Sequence, residues 1–147
     1  MPDIATRLLS LGNKAHNFVY RASGGRVGGR MLGSQVLLLN TVGRKSGRKR
    51  TTPLLYLRDG EDYVIVASKG GAPAHPAWYH NLEASPETTV EVGASEVRVR
   101  AEEASSEEKA RLWPKLVEMY PSYEDYQKKT DREIPVIVLH PEDNEQV

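Results

Sequence analysis

Residues 34–59 read SQVLLLNTVGRKSGRKRTTPLLYLRD. Two apolar runs of strand length, residues 34–42 and 51–59, enclose a loop in which five of the seven residues from 44 to 50 are cationic. Glycines and charges between two such runs predict a pair of strands joined by a turn. The runs are too short to be membrane helices, which need ~20 apolar residues.

Working outward from this pair, more strands follow. Asp59-Gly60 stands between PLLYL and YVIVAS, a hairpin signal. TVEV, the turn GAS and EVRVRAE alternate apolar with charged residues, as a half-exposed antiparallel hairpin does. IPVIVLHP closes as a buried strand. Between these lie short helical signals. GGAPAHP opens AWYHNLEASP, which Pro86 ends. Ser105 and Glu108 form a capping box for a helix running towards Tyr120, which Pro114 should kink or restart. A further short helix carries Tyr123 and Tyr126. About six strands with few helices between them predict a small antiparallel barrel with helices packed at its ends.

Upstream, Ile4, Leu8, Leu11, Ala15 and Phe18 form one stripe of an amphipathic helix. It suits packing on the domain or a partner subunit. With Arg7, Lys14, Arg21, Arg26 and Arg30 it also suits peripheral contact with an anionic membrane. ASGGRVGGR then acts as a connector. The expected organisation is therefore a helix and connector over residues 1–30 and a single domain over residues 31–147.

Composition narrows the function. Twenty Lys and Arg balance twenty Asp and Glu, so bulk charge does not recruit nucleic acid and recognition must come from local clusters. The chain has no Cys, which removes disulfides and thiolate chemistry and is compatible with a reducing cytosol. Without a secretory pattern, a cytoplasmic location is expected.

The basic loop has two readings. It is a solvated turn, or an anion site in which Gly43 and Gly47 let backbone N–H groups form a nest beside Ser46, Thr51 and Thr52. Five cations exceed the needs of one phosphate and suit a ligand with several spaced negative charges. The order of glycine and lysine is not that of a P-loop. Ser68 and Lys69, followed by two glycines at a strand end, offer a hydroxyl, a cation and close backbone approach, or a plain loop. His75 and His80 lack an acidic partner at metal-ligand spacing, so no metal is expected. Trp78 and Tyr79 read as core. Tyr120, Tyr123 and Tyr126, spaced by three, form either a structural face or an aromatic wall for a planar ligand.

Taken in series, GRKSG, R-x-x-P-L, ASKGG, WYxNL and MYPSYEDYQ…TDREIPV resemble the deazaflavin-dependent nitroreductases of actinobacteria, also called F420H(2)-dependent quinone reductases. The resemblance spans residues 33–141. It implies a mainly β chain with flanking helices, the split β-barrel of flavin-reductase and FMN-binding proteins. It also implies hydride transfer from reduced coenzyme F420, a deazaflavin with a phospholactyl and polyglutamate tail, to a small-molecule acceptor. By resemblance Arg44, Lys45, Ser46 and Arg50 hold the tail, while Arg48 and Lys49 steer it in. Thr51, Thr52, Pro53, Leu54 and Leu55 would line the cofactor, and Val66, Ala67, Ser68 and Lys69 would contact its head and tail. Ala77, Trp78, Tyr79, His80 and Asn81 would complete the pocket, and Tyr123 would close over the ring. Ser68, Tyr120, Tyr123 and Tyr126 match substrate-facing positions, with Tyr126 or Ser68 the group that hydrogen-bonds the acceptor or relays a proton.

Leu55 stands where the family's name-giving nitroreductase has tyrosine, with Tyr56 one place later on the other strand face. Quinones, enones and unsaturated lactones are therefore the expected acceptors ahead of bulky nitro compounds. The rival readings are an FMN-dependent split-barrel oxidoreductase and a non-catalytic anion-binding module. A homodimer is an open expectation.

Overall fold

The computed structural model describes residues 30, 31 and 34–142. The N-terminal stripe and most of the glycine connector lie outside them. In chain order the strands are β1 (Arg30–Met31), β2 (Ser34–Val42), β3 (Lys49–Leu55), β4 (Leu57–Asp59), β5 (Asp62–Val66), β6 (Glu87–Val92), β7 (Ser95–Glu103) and β8 (Val136–Pro141). The helices are α1 (Ala77–Ala84), α2 (Ser106–Met119) and α3 (Ser122–Lys129).

One bent segment closes the barrel. Only Tyr56 separates β3 from β4, so residues 49–59 pair first with β2 and then with β5. The ladder β2-β6-β7-β8-β5-β4 therefore returns to β2 through its own chain, giving six antiparallel barrel strands. Tight turns set the register. Gly60 and Gly93 take φ of +60° and +61° at the first corner of two-residue hairpins, a conformation glycine adopts without Cβ strain. This is the expected split β-barrel.

Strand alternation sorts the apolar residues into two layers. Leu37, Leu39, Tyr63, Ile65, Ile137 and Leu139 fill the barrel with Tyr56, Trp78, Val90 and Val99. Val36, Val64, Val66, Val136 and Val138 face the other way, under Leu112, Leu116, Tyr120 and Tyr123. Strands covered on both faces read as continuous apolar runs, which is why VLLL, YVIVA and VIVL lack polar alternation. β6 and β7, covered on one face, keep it.

α2 begins at the predicted capping box: Ser105 Oγ accepts the Glu108 N–H (3.2 Å) and Glu108 Oε1 accepts the Ser105 N–H (3.3 Å). The helix continues unbroken through Pro114, against the expected restart. Pro114 removes one backbone bond, but Leu112 and Leu116 on either side are fully buried and contribute about 2 kcal/mol each. That anchorage holds both halves of the helix on the sheet.

Candidate functional site

Beyond Tyr56 the barrel parts. β4 pairs with residues 62–64 of β5 only, so among the described residues no ladder rung joins residues 49–54 to the end of β5. β5 runs back along the bent strand, which carries its end towards the basic loop. α1 is tied to that loop, because Asn81 Oδ1 accepts the Arg44 N–H at 3.1 Å.

The basic loop is folded on itself. Gly43 N–H donates to the Arg48 carbonyl (2.8 Å), Gly47 N–H to the Gly43 carbonyl (2.8 Å), and Arg48 N–H to Ser46 Oγ (3.2 Å). A Cβ on Gly43 would sit 2.5 Å from Ser46 Oγ, so a side chain there would turn the Ser46 hydroxyl away from the Arg48 N–H. The nest expected of Gly43 and Gly47 is thus corrected: their N–H groups are spent inside the turn, and side chains alone remain to attract an anion. Arg44, Lys45, Arg48, Lys49 and Arg50 are exposed and, among the described residues, make no ion pair. Ser46 is exposed and keeps its own hydroxyl proton for donation.

Asn81 is buried at 7% exposure with both ends of its amide used. Besides holding Arg44, it donates from Nδ2 to Thr41 Oγ1 at 3.3 Å. Its side chain shapes the loop. The neighbouring positions are similarly occupied. Trp78 is buried in the barrel core, and Tyr79 donates its hydroxyl to Glu103 Oε1 at 2.5 Å. Burial first, then Glu103, pushes the Tyr79 phenol well above its ordinary range, so it stays protonated. His80 pairs with Glu83 at 3.2 Å, and Ala77 is exposed.

Along residues 51–55 alternation divides the side chains. Thr52 and Leu54 pair with the inward Leu39 and Leu37, while Leu55 lies in the outer layer and Pro53 shares its face. Thr51 donates to Asn40 Oδ1 at 2.8 Å, and Asn40 donates on to Thr89 at 3.0 Å. Val66 is outer and Ala67 inner, so a ligand on this edge meets backbone as much as side chains. Leu55 and Tyr56 do occupy opposite faces, in the outer and inner clusters.

The ASKGG segment is a left-handed turn. Lys69, Gly70 and Gly71 have φ of +46°, +63° and +80°, closed by Gly71 N–H to Ser68 O (2.9 Å) and Ala72 N–H to Lys69 O (3.1 Å). Two positions are glycine for that reason. A Cβ on Gly71 would also lie 2.8 Å from the Tyr126 carbonyl oxygen. Lys69 pays the left-handed penalty of about 1–2 kcal/mol per residue. Such strain concentrates at ligand sites. Lys69 is exposed, and the half-buried Ser68 hydroxyl makes no hydrogen bond among the described residues.

The three tyrosines are placed unequally. Tyr120 caps the end of α2, while Tyr123 and Tyr126 lie on α3. The Tyr120 and Tyr126 hydroxyls are 3.1 Å apart. Tyr123 is 5% exposed, its ring 4.9 Å from Tyr120 and 6.4 Å from Trp113, and burial pushes its phenol pKa up. Tyr126 is the half-buried member whose backbone touches Gly71.

One residue escaped the sequence reading. Arg132, inside the quoted TDREIPV, donates to the carbonyls of Ala67 (3.1 Å), Ser68 (2.7 Å) and Ala72 (2.8 Å) and to His75 Nδ1 (3.0 Å). Because a guanidinium only donates, His75 accepts at Nδ1 and is neutral; burial first, then the Arg132 charge, holds its pKa below the ordinary value. An Arg in a polar segment gives no sign of this role until the fold brings four acceptors to it.

A split antiparallel barrel, bearing cations without an ion pair among the described residues and a strained hydroxyl-bearing turn, suits a cofactor-binding split-barrel oxidoreductase. Comparison with known proteins agrees. The family described as F420H(2)-dependent quinone reductase matches residues 13–141, and the chain belongs to that family. It is 45% identical over 130 residues to an F420H(2)-dependent quinone reductase of Mycobacterium tuberculosis (strain H37Rv), covering 86% of this chain and 87% of that protein. A solved F420-H2 dependent reductase is 43% identical with a TM-score of 0.66, over 71% of this chain and 93% of the other. A second solved chain, described as a domain-swapped dimer, is 36% identical with a TM-score of 0.69, over 86% and 95% of the two chains.

The donor set suits the family's cofactor. A phosphate and several carboxylates match five cations that have no ion pair among the described residues, with Lys69 and the Ser68 hydroxyl as further donors.

Proposed function

We propose that this chain binds reduced coenzyme F420 at the barrel split and reduces quinones there, with enones and unsaturated lactones as further acceptors. What supports the reading is membership of the family together with an exposed basic loop that makes no ion pair among the described residues and the strained Ser68–Lys69 turn that follows β5. When bound, the reduced deazaflavin supplies a hydride to an electron-poor acceptor.

The chain's own residues bind, orient and move a proton. Arg44, Lys45, Ser46 and Arg50 hold the anionic tail, and Arg48 and Lys49 raise its local concentration. Lys69 would add a positive charge for the tail's phosphate. Ser68 Oγ donates a hydrogen bond to the acceptor oxygen, polarising it. The Tyr126 hydroxyl, 3.1 Å from that of Tyr120, hands over the proton and refills from its neighbour or solvent. Tyr123 acts by packing behind this pair, and the tyrosine wall keeps water from the reacting face. With Leu55 in the outer layer, bulky nitro compounds are the poorest substrates.

The test is titration with F420 and with FMN, followed by turnover of F420H2 against quinones, enones and nitroaromatics. Deazaflavin binding with quinone turnover is expected, and Tyr126→Phe and Ser68→Ala each lower kcat by about 10–100-fold. Tight FMN binding without deazaflavin binding would overturn the reading. The domain-swapped relative supports a homodimer, which light scattering tests as twice the chain mass of 16.4 kDa.

A further inference from the structure

We infer that Arg132 is a positioning residue of the cofactor site: its guanidinium holds the left-handed turn that presents Ser68 and Lys69 and fixes it against the tyrosine-bearing helix. This rests on the proposed cofactor site.

Three observations carry it. First, the turn cannot hold itself. Lys69 at φ +46° has a conformation that an L-residue leaves readily, and only two backbone bonds lie within the turn. Second, Arg132 brackets the turn. It grips Ala67 and Ser68 before it at 3.1 and 2.7 Å, and Ala72 after it at 2.8 Å. The two ends cannot separate while all three bonds stand, and the fourth, to His75 Nδ1 at 3.0 Å, extends the hold towards α1. Third, Arg132 lies three residues past the end of α3, and the turn packs on α3 where Gly71 meets the Tyr126 carbonyl. Arg132 therefore references the position of Ser68 to the helix that carries Tyr126.

The chemistry demands arginine. A planar fork with five N–H donors reaches four acceptors in different directions. A lysine ammonium has three donors at one point and cannot span both ends of the turn. Arg132 is half-buried, and burial lowers its pKa from the ordinary arginine value. Arginine still remains fully charged at neutral pH.

The test uses the full chain with Arg132→Lys, Arg132→Gln and Arg132→Gly. Arg132→Lys keeps the charge and is expected to raise the KM for F420H2 about tenfold, through Lys69, and to lower kcat several-fold, through Ser68. Arg132→Gln does the same and moves the His75 imidazole titration, followed by NMR, upwards as the neighbouring charge is lost. Added guanidinium restores part of the lost activity to Arg132→Gly but not to Arg132→Gln, whose side chain fills the space. Unchanged cofactor KM in folded Arg132→Lys and Arg132→Gln overturns the inference. If the variants do not fold, amide exchange in the wild type decides. Slow exchange of Gly71 and Ala72 supports the held turn, and exchange as fast as an exposed loop overturns it. The NMR and exchange measurements need no cofactor, so a failure of F420 binding by the wild type sinks the functional reading separately.

Discussion

The basic loop and the turn at residues 68–72 are built on opposite plans. The loop satisfies its own backbone, takes one buried anchor from Asn81, and exposes five cations on flexible stems. The turn exposes one cation, holds three successive residues at positive φ, and is gripped by Arg132. The difference separates two kinds of recognition. Charge on mobile side chains attracts an anion from several directions and tolerates small displacements. A strained backbone held from both ends sets a position and tolerates none.

Substituting the glycines breaks the comparison most sharply. Gly71→Ala places a methyl 2.8 Å from the Tyr126 carbonyl at a φ of +80°, and a loss of about 3 kcal/mol of stability is expected by denaturant titration. Gly47 has a similar φ of +70° with nothing near its added methyl. Gly47→Ala is expected to cost only about 1 kcal/mol in the same measurement. Equal costs would mean that the turn is no more tightly held than the loop.

Asn81→Ala comes next. It leaves the Arg44 N–H and Thr41 hydroxyl without their partner, at about 1–3 kcal/mol. It should also weaken F420 binding. Single neutralisations, Lys45→Gln or Arg50→Gln, are expected to raise the F420H2 KM only a few-fold, shrinking further as salt is raised through a Debye length of about 8 Å near 0.15 M. A loss at Lys45 or Arg50 as large as that at Arg132, and insensitive to salt, would erase the distinction.

The smallest effect lies at the far strands. His140 on β8 bridges Asp62 (3.1 Å) and Glu102 (3.2 Å). Burial opposes the charged ring, but its hydrogen bonds to Glu102 and Asp62 outweigh it and raise its pKa. A raised folded pKa means the contribution is fully present below the unfolded value near 6.5 and fades as pH rises through the folded value. His140→Asn should flatten the decline in melting temperature across that window, with little change in turnover.

Much of the architecture was legible. The apolar runs at residues 34–42, 51–59 and 134–141 announced strands, and the capping box at Ser105 and Glu108 placed the start of α2. Pro114 misled, because local chemistry argues for a break and the burial of Leu112 and Leu116 prevails. The basic loop stood out from its charges, yet its backbone did not, since hydrogen bonds from Gly43 and Gly47 depend on how the turn closes. Asn81 read as a pocket residue, and its folded role is to shape the loop across 37 residues of sequence.

By itself the sequence determined the strand periodicity, the placement of charge between two apolar runs and the glycines at residues 70 and 71, because these follow from propensities that act over a few residues. Tertiary structure alone decided the bent closure at Tyr56, the division of Tyr120, Tyr123 and Tyr126 between core and opening, and the convergence of four acceptors on Arg132. Each depends on contacts between residues far apart in the chain, and local pattern carries no information about which distant partner a donor will meet.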